Sequence, residues 1–441
     1  LMFRQGSASQ QKWWLCTLLF LATTINYLDR QILSLLKPIL DQELHWSNAD
    51  YGLVNSAFQG AYAVGLIFFG WFIDRFGARI GYLVSIVLWS LAALSHMFAG
   101  SVGGFIVARL ALGFGEGGNF PAAIRCIADG FPKEERSFAT SIVNAGANVG
   151  AIIAPALVPI LAALYGWQTA FIVAGALGFV WTLAWIRVPK VQATESSPIH
   201  QELEDNSSFP YLSSMDLLKM PETWSFIVAK FITDPVWWFF LIWLPDYFKQ
   251  SHGLDIKKSW LHLMIIYGMV SALSLLGGWL PKYLQSRGIS MARARKQCMF
   301  AFALAVLPVY FATAQGPWTT VFLIGLAGAA HQAWSANLFT TVSDMFPKPA
   351  IARVVGMGGM AGAIGGMIFP VVTGKLLDIY SKEGGITTAY TILFACCSLA
   401  YIIAFALNHS LAPHFFPVTW PKSGDMEPTL AGQELRTGKQ V

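Results

Sequence analysis

Asp129-Gly130-Phe131-Pro132-Lys133 closes one apolar segment of the chain, and Asp344-Met345-Phe346-Pro347-Lys348 closes another 215 residues later. The same offset relates Pro155, at the end of a run of small residues, to Pro370, at the end of a similar run. Two matches at one spacing indicate a duplicated unit, and each copy holds six apolar stretches. Parallel repeats of this kind in membrane proteins place a substrate site near the bilayer midplane, between the copies. The pattern predicts an all-α membrane protein with 12 transmembrane helices in two pseudo-symmetric six-helix halves.

Composition leads to the same class. Of 441 residues, 55% are apolar before the 40 glycines are counted, and 12% are charged. A typical soluble domain carries about 25% charged residues, and no single core could hide this apolar excess from water. Seventeen Trp and 32 Phe suit interfacial belts and lipid-facing surfaces, and a net charge of +5 is too small for a nucleic-acid binder. Cys16, Cys126, Cys298, Cys396 and Cys397 lie in or at the ends of apolar runs without metal-ligand spacing, which excludes a zinc site or disulfide scaffold. The apolar run after Lys12 continues past Tyr27 with no cleavage site, as a retained first span does.

A hydrocarbon core of about 30 Å takes roughly 20 mostly apolar residues per helix. Twelve segments fit, at 13–37, 51–73, 80–99, 103–128, 138–161, 168–188, 222–248, 260–283, 296–314, 317–342, 350–376 and 386–407. The chain thus divides into a tail (1–12), a first half (13–188), a polar central loop (189–221), a second half (222–407) and a tail (408–441). With both termini on one side, that side holds 20 of the 29 Lys and Arg, Arg75 and Arg79 among them. The other side holds six: Lys37, Lys249, Lys257, Lys258, Lys375 and Lys382. The positive-inside rule then makes both termini and the central loop cytoplasmic.

Arg30, Arg109 and Lys230 fall inside spans, as do Asp29, Glu116, Asp234 and His331. Charges in a bilayer face a partner or a watery cavity, so each is a functional candidate. Arg109 and Glu116 are two turns, about 10 Å, apart on one helix face. Asp29 is expected to pair with Arg109 in one state while Arg30 faces the cavity, where its planar donors suit a carboxylate. The competing reading is a static network that locks helices together. Lys230 and Asp234 are spaced i, i+4 with Pro235 next, which suits either an intrahelical pair in a kinked gating helix or direct substrate contact. Tyr27, Asn55, Gln59, Tyr62, Asn144, Asn148, Trp237, Trp238, His331, Gln332, Ser335 and Asn337 could line a cavity for a polyhydroxylated ligand or bond helix to helix. The run Gly113-Phe114-Gly115-Glu116-Gly117-Gly118 lies inside a span, where small residues permit close helix contact. There is no P-loop, Gly-x-Ser-x-Gly elbow or His-Glu-x-x-His pair, so ATP-driven pumping and hydrolysis lack their machinery.

Gly70-Trp71-Phe72-Ile73-Asp74-Arg75-Phe76-Gly77-Ala78-Arg79 resembles the signature loop of the major facilitator superfamily, Gly-x-x-x-Asp-Arg-x-Gly-x-Arg. The second-half counterpart, from Gly278 to Gly288 with Lys282 and Arg287, lacks the acid. Tyr27-Leu28-Asp29-Arg30, the Arg109 to Glu116 spacing and Phe131-Pro132-Lys133-Glu134-Glu135-Arg136 resemble the anion:cation symporter family. Thr233-Asp234-Pro235-Val236-Trp237-Trp238-Phe239 is similar to its bacterial hexuronate transporters. The resemblance implies a major facilitator fold and proton-driven import of a sugar acid such as galacturonate or glucuronate across the bacterial inner membrane by a monomer. It implies no cofactor beyond the coupling proton. By position, Arg30 would hold the carboxylate, and Tyr27 and Tyr62 would contact hydroxyls. Asp29 and Glu116 would carry protons, tuned by Arg109, and Gly70, Asp74, Arg75, Gly77 and Arg79 would form a latch. Aldonate or aldarate transport, other organic anions, and an anion sensor of transporter form are the alternatives.

Overall fold

The computed structural model describes residues 8–131, 133–187, 214–254, 256–346, 348–382 and 385–415. Most of the central loop and the C-terminal tail from 416 lie outside the described residues. The first half comprises α1 (Ala8–Leu44), α2 (Asn48–Phe76), α3 (Ala78–Ser95), α4 (Val102–Glu116), α5 (Asn119–Gly130), α6 (Lys133–Tyr165) and α7 (Gln168–Ile186). After the short α8 (Ser214–Leu218), the second half comprises α9 (Pro221–His252), α10 (Ile256–Ser274), α11 (Leu276–Ser286), α12 (Met291–Val306), α13 (Pro317–Met345), α14 (Lys348–Lys382) and α15 (Ile386–Leu411). With α4–α5 and α10–α11 each taken as one interrupted segment, the described residues hold twelve long helical segments, the number expected from the sequence.

Nine of these segments are long and apolar enough to cross a membrane by composition alone. The other three are α1, the interrupted α4–α5 and α13, and they carry Asp29, Arg30, Arg109, Glu116 and His331. Local chemistry sets the ends. Ser47 and Asp50 form a reciprocal capping box at the start of α2, and Gly77, at φ 85°, turns the chain from α2 into α3. The fourth span, expected as one helix, breaks at Gly117-Gly118, directly after Glu116.

Within the first half α1 packs on α6, and α2 and α3 pack on α4. A Cβ on Gly113 would strike the Phe58 carbonyl, one on Gly115 would lie 2.7 Å from the Trp89 backbone nitrogen, and one on Gly117 would lie 2.6 Å from the backbone at Gly65. The glycine run therefore lets α4 touch α2 and α3 at backbone distance.

Between the halves, α2 packs on α14, α6 on α10 and α1 on α9. These contacts gather at one end of the bundle, where Gly52 meets the Pro370 carbonyl and Gly374 meets that of Asn48. One apolar cluster there joins Leu28 to Leu40 of α1 with Val236 to Phe248 of α9. Toward the opposite end, where Arg75 and Arg79 lie, a second cluster is built from first-half residues alone.

Gly117→Val should lower the melting temperature of the purified protein in detergent, as overpacking of about 1–3 kcal/mol does. Gly359→Ala, where nothing lies within 4 Å of a new Cβ, should leave it unchanged.

Candidate functional site

Arg30 projects from the middle of α1 between the halves. Its Nε donates to Glu116 Oε2 at 2.7 Å, with the Glu116 side chain fully buried and that of Arg30 8% exposed. The guanidinium carbon lies 4.5 Å from the ring centre of Tyr62, 5.0 Å from Tyr27, 5.5 Å from Phe58 and 5.6 Å from Trp238. Trp238 is on α9, so both halves contribute to this aromatic box. Cation–ring contacts of this kind contribute about 0.5–2 kcal/mol each, more as water is excluded. Glu116 is the last residue of α4, where the helix dipole disfavours negative charge, which makes Arg30 its necessary counter-ion.

The pair formed in this conformation joins Arg30 to Glu116, whereas Asp29 and Arg109 were expected to pair in one state. The Arg109 guanidinium carbon lies 5.5 Å from the centre of the Phe58 ring, the same ring that faces Arg30. Its Nε and Nη2 are buried without a hydrogen-bond partner, as are both carboxylate oxygens of Asp29. Asp29 and Arg109 are therefore not joined in this conformation. Glu116 Oε1 and Gln59 Oε1 are also buried without partners. Leaving such atoms unsatisfied is costly.

The other candidates are spread around the box. Asn55 donates to the Tyr51 carbonyl on its own helix, and Asn148 is half-buried on α6. On α13, His331 is buried, bonded through Nδ1 to the Tyr401 hydroxyl and stacked on Trp237 at 5.3 Å, while Gln332 and Ser335 are half-buried. Lys230 and Asp234 pair at 2.7 Å along α9, and Lys230 also lies 4.6 Å from the Phe339 ring centre. Asp234 sits against Gly362 and Pro235 against Gly365, so α9 and α14 are in close contact along this stretch. Arg79 donates to the Ile186 carbonyl at 3.0 Å, and Arg75 is exposed. Gly70 has open space beside it, and the Asp74 side chain lies outside the described residues.

Sequence reasoning missed a second buried ionic group. Lys37, expected in an outer loop, is 1% exposed and reaches Asp246 at 2.8 Å and Asp41 at 2.9 Å; Asp246 is also 1% exposed. A signal was present: Lys37 stands between Leu35-Leu36 and Ile39-Leu40, seven residues after Arg30 on α1.

Two helical halves in a membrane, with a caged cation between them, define a transporter of small solutes rather than an enzyme. The chain belongs to the Major Facilitator Superfamily, whose family profile matches residues 19–370. It is 30% identical over 379 residues to the hexuronate transporter of Escherichia coli K12, covering 83% of this chain and 88% of that one. It is 28% identical over 284 residues to the galacturonate transporter of Dickeya chrysanthemi, covering 62% of this chain and 82% of that one. Among solved structures, a bacterial homologue of the human lysosomal transporter Spinster, in an inward-facing and occupied conformation, aligns with TM-score 0.73 at 18% identity. That alignment covers 91% of this chain and 96% of the homologue, and it shows the shared fold.

Glu116→Ala should destabilise the protein by about 3–5 kcal/mol, because it strands the Arg30 charge. Adding Arg30→Met to that variant should recover part of the loss, a coupling readable as non-additive melting temperatures.

Proposed function

We propose that this protein imports a hexuronate, such as galacturonate or glucuronate, together with protons across a bacterial inner membrane. The observation that carries the reading is the Arg30 guanidinium, ion-paired to Glu116 and boxed by Tyr27, Phe58, Tyr62 and Trp238 from both halves. A planar cation suits a carboxylate, and a flat aromatic wall suits the face of a sugar ring. Tyr27 and Tyr62 meet sugar hydroxyls, with Asn55, Gln59, Asn148, His331, Gln332 and Ser335 available farther out. The bias of Lys and Arg supports cytoplasmic termini, and on that reading the Lys37 end is external and the conformation described is closed to the outside.

Coupling follows from competition for Arg30. While Glu116 is ionised it occupies Nε, the edge that an incoming carboxylate needs. A proton on Glu116 turns off that bond, and the substrate carboxylate takes its place. Arg30 keeps one counter-ion throughout, so the exchange leaves no buried charge uncompensated. One proton per monoanion makes the cycle electroneutral. A second proton on Asp29, whose oxygens have no partner, makes it electrogenic, worth about 2.3 kcal/mol per 100 mV. Arg109 sets the field at both acids, and rocking of the halves about the box opens it to one side and then the other.

Liposomes containing only this protein should accumulate labelled galacturonate faster with an acidic exterior, and Arg30→Ala should abolish uptake. Normal uptake by Arg30→Ala would falsify the anchor assignment. Glu116→Gln should lose uphill accumulation yet keep substrate counterflow, whereas loss of both would make Glu116 structural. A counterflow panel of hexuronates, aldonates and aldarates tests the substrate class, and preference for either of the latter two overturns the hexuronate reading.

A further inference from the structure

We propose that Lys37 and Asp246 form a reversible ionic lock that holds the two halves together above the Arg30 box and must part for that end to open. The proposal rests on the two-half transport reading but not on which anion is carried.

Lys37 is on α1 and Asp246 on α9, in opposite halves, 2.8 Å apart and each 1% exposed. The ammonium also lies 5.2 Å from the ring centre of Tyr51 and 5.7 Å from that of Trp243, so rings from both halves enclose it. Other bonds between the halves lie around it. Tyr51 donates to the Ile242 carbonyl at 2.9 Å, and Lys249 donates to the Pro38 carbonyl at 3.2 Å. Asp378 of α14 accepts from the backbone N–H groups of Asn48 and Ala49 at 2.9 and 2.8 Å, which caps the N-terminus of α2 from across the interface. Lys37 is seven residues along α1 from Arg30, about two turns, so the lock roofs the box.

What distinguishes a lock from a fixed strut is what each ion keeps when the halves part. Lys37 retains Asp41 on its own helix at 2.9 Å. Asp246 retains the hydroxyl of Tyr390, in its own half, which donates to Oδ2 at 2.6 Å. Neither charge is stranded by opening, so the penalty that makes buried pairs hard to break is largely avoided. Closing adds the cross-half bond to two ions that are already partly satisfied.

This predicts opposite signs for two conservative substitutions. Asp246→Asn removes the cross-half charge pair and should favour opening. Tyr390→Phe leaves the closed pair intact but deprives Asp246 of the partner it keeps, and should disfavour opening. The readout is the distribution of distances between spin labels at Gln42→Cys and Lys382→Cys, both exposed on opposite halves at this end, in the full chain carrying Cys396→Ser. The open-to-closed ratio should rise on the order of tenfold in Asp246→Asn and fall in Tyr390→Phe. Lys37→Met should match Asp246→Asn, and the double variant should shift no further than either single one. An unchanged distribution in Asp246→Asn, a rise in Tyr390→Phe, or additive shifts in the double variant would each overturn the lock. If Lys37→Met does not fold, the isosteric Asp246→Asn alone decides. Because the distances require no substrate, failure of the lock and failure of the hexuronate assignment are separate results.

Discussion

A charge buried in hydrocarbon must have a partner, and in this protein the demand is met at Arg30 and Glu116 across 2.7 Å. Much of the first half follows from making that pair. Glu116 reaches it only because α4 approaches α2 and α3 at backbone distance, which the glycines on either side of Glu116 allow. The aromatic rings around Arg30 shield it without supplying a second anion. The partnerless oxygens of Asp29 and the partnerless nitrogens of Arg109 lie in the same region. The interior is thus stable in charge balance while several of its polar atoms are unspent.

The architecture could be read from the chain because bilayer thickness and duplication leave long-range marks: the Asp129 and Asp344 pentapeptides fix the two halves, and span length fixes the helices. Several candidate residues were legible by residue type. Arg30, Tyr27, Tyr62, Trp238 and Glu116 meet in one box. Their pairing was not legible, since spacing places residues on a face of one helix but says nothing of which neighbouring face it meets. Arg30 was expected in the cavity with Asp29 on Arg109 in one state, and in this conformation Glu116 takes Arg30. Lys37 was read as belonging to the outer side because charge near the end of a span ordinarily reaches water. Its burial, with that of Asp246, comes from contact between the halves, which no local pattern records.

Helix α1 carries both ionic centres, Arg30 in the box and Lys37 in the lock, and its partners are on different elements: α4 for the first, α9 for the second. A movement of α1 relative to α9 changes the lock directly and the Trp238 wall of the box with it, since Trp238 and Asp246 share α9. The two centres are therefore mechanically joined through two helices, with the apolar residues between Leu28 and Leu40 as packing.

The same arrangement bears on how the chain is made. The first helix enters the bilayer bearing Asp29, Arg30 and Lys37, each costly there until paired. Glu116 is synthesised 86 residues after Arg30, and Asp246 209 residues after Lys37. For most of translation the helix that carries Arg30 is thus poorly suited to lipid on its own. Lys37 has Asp41 on its own helix from the start, whereas Arg30 waits for the fourth segment to bring Glu116.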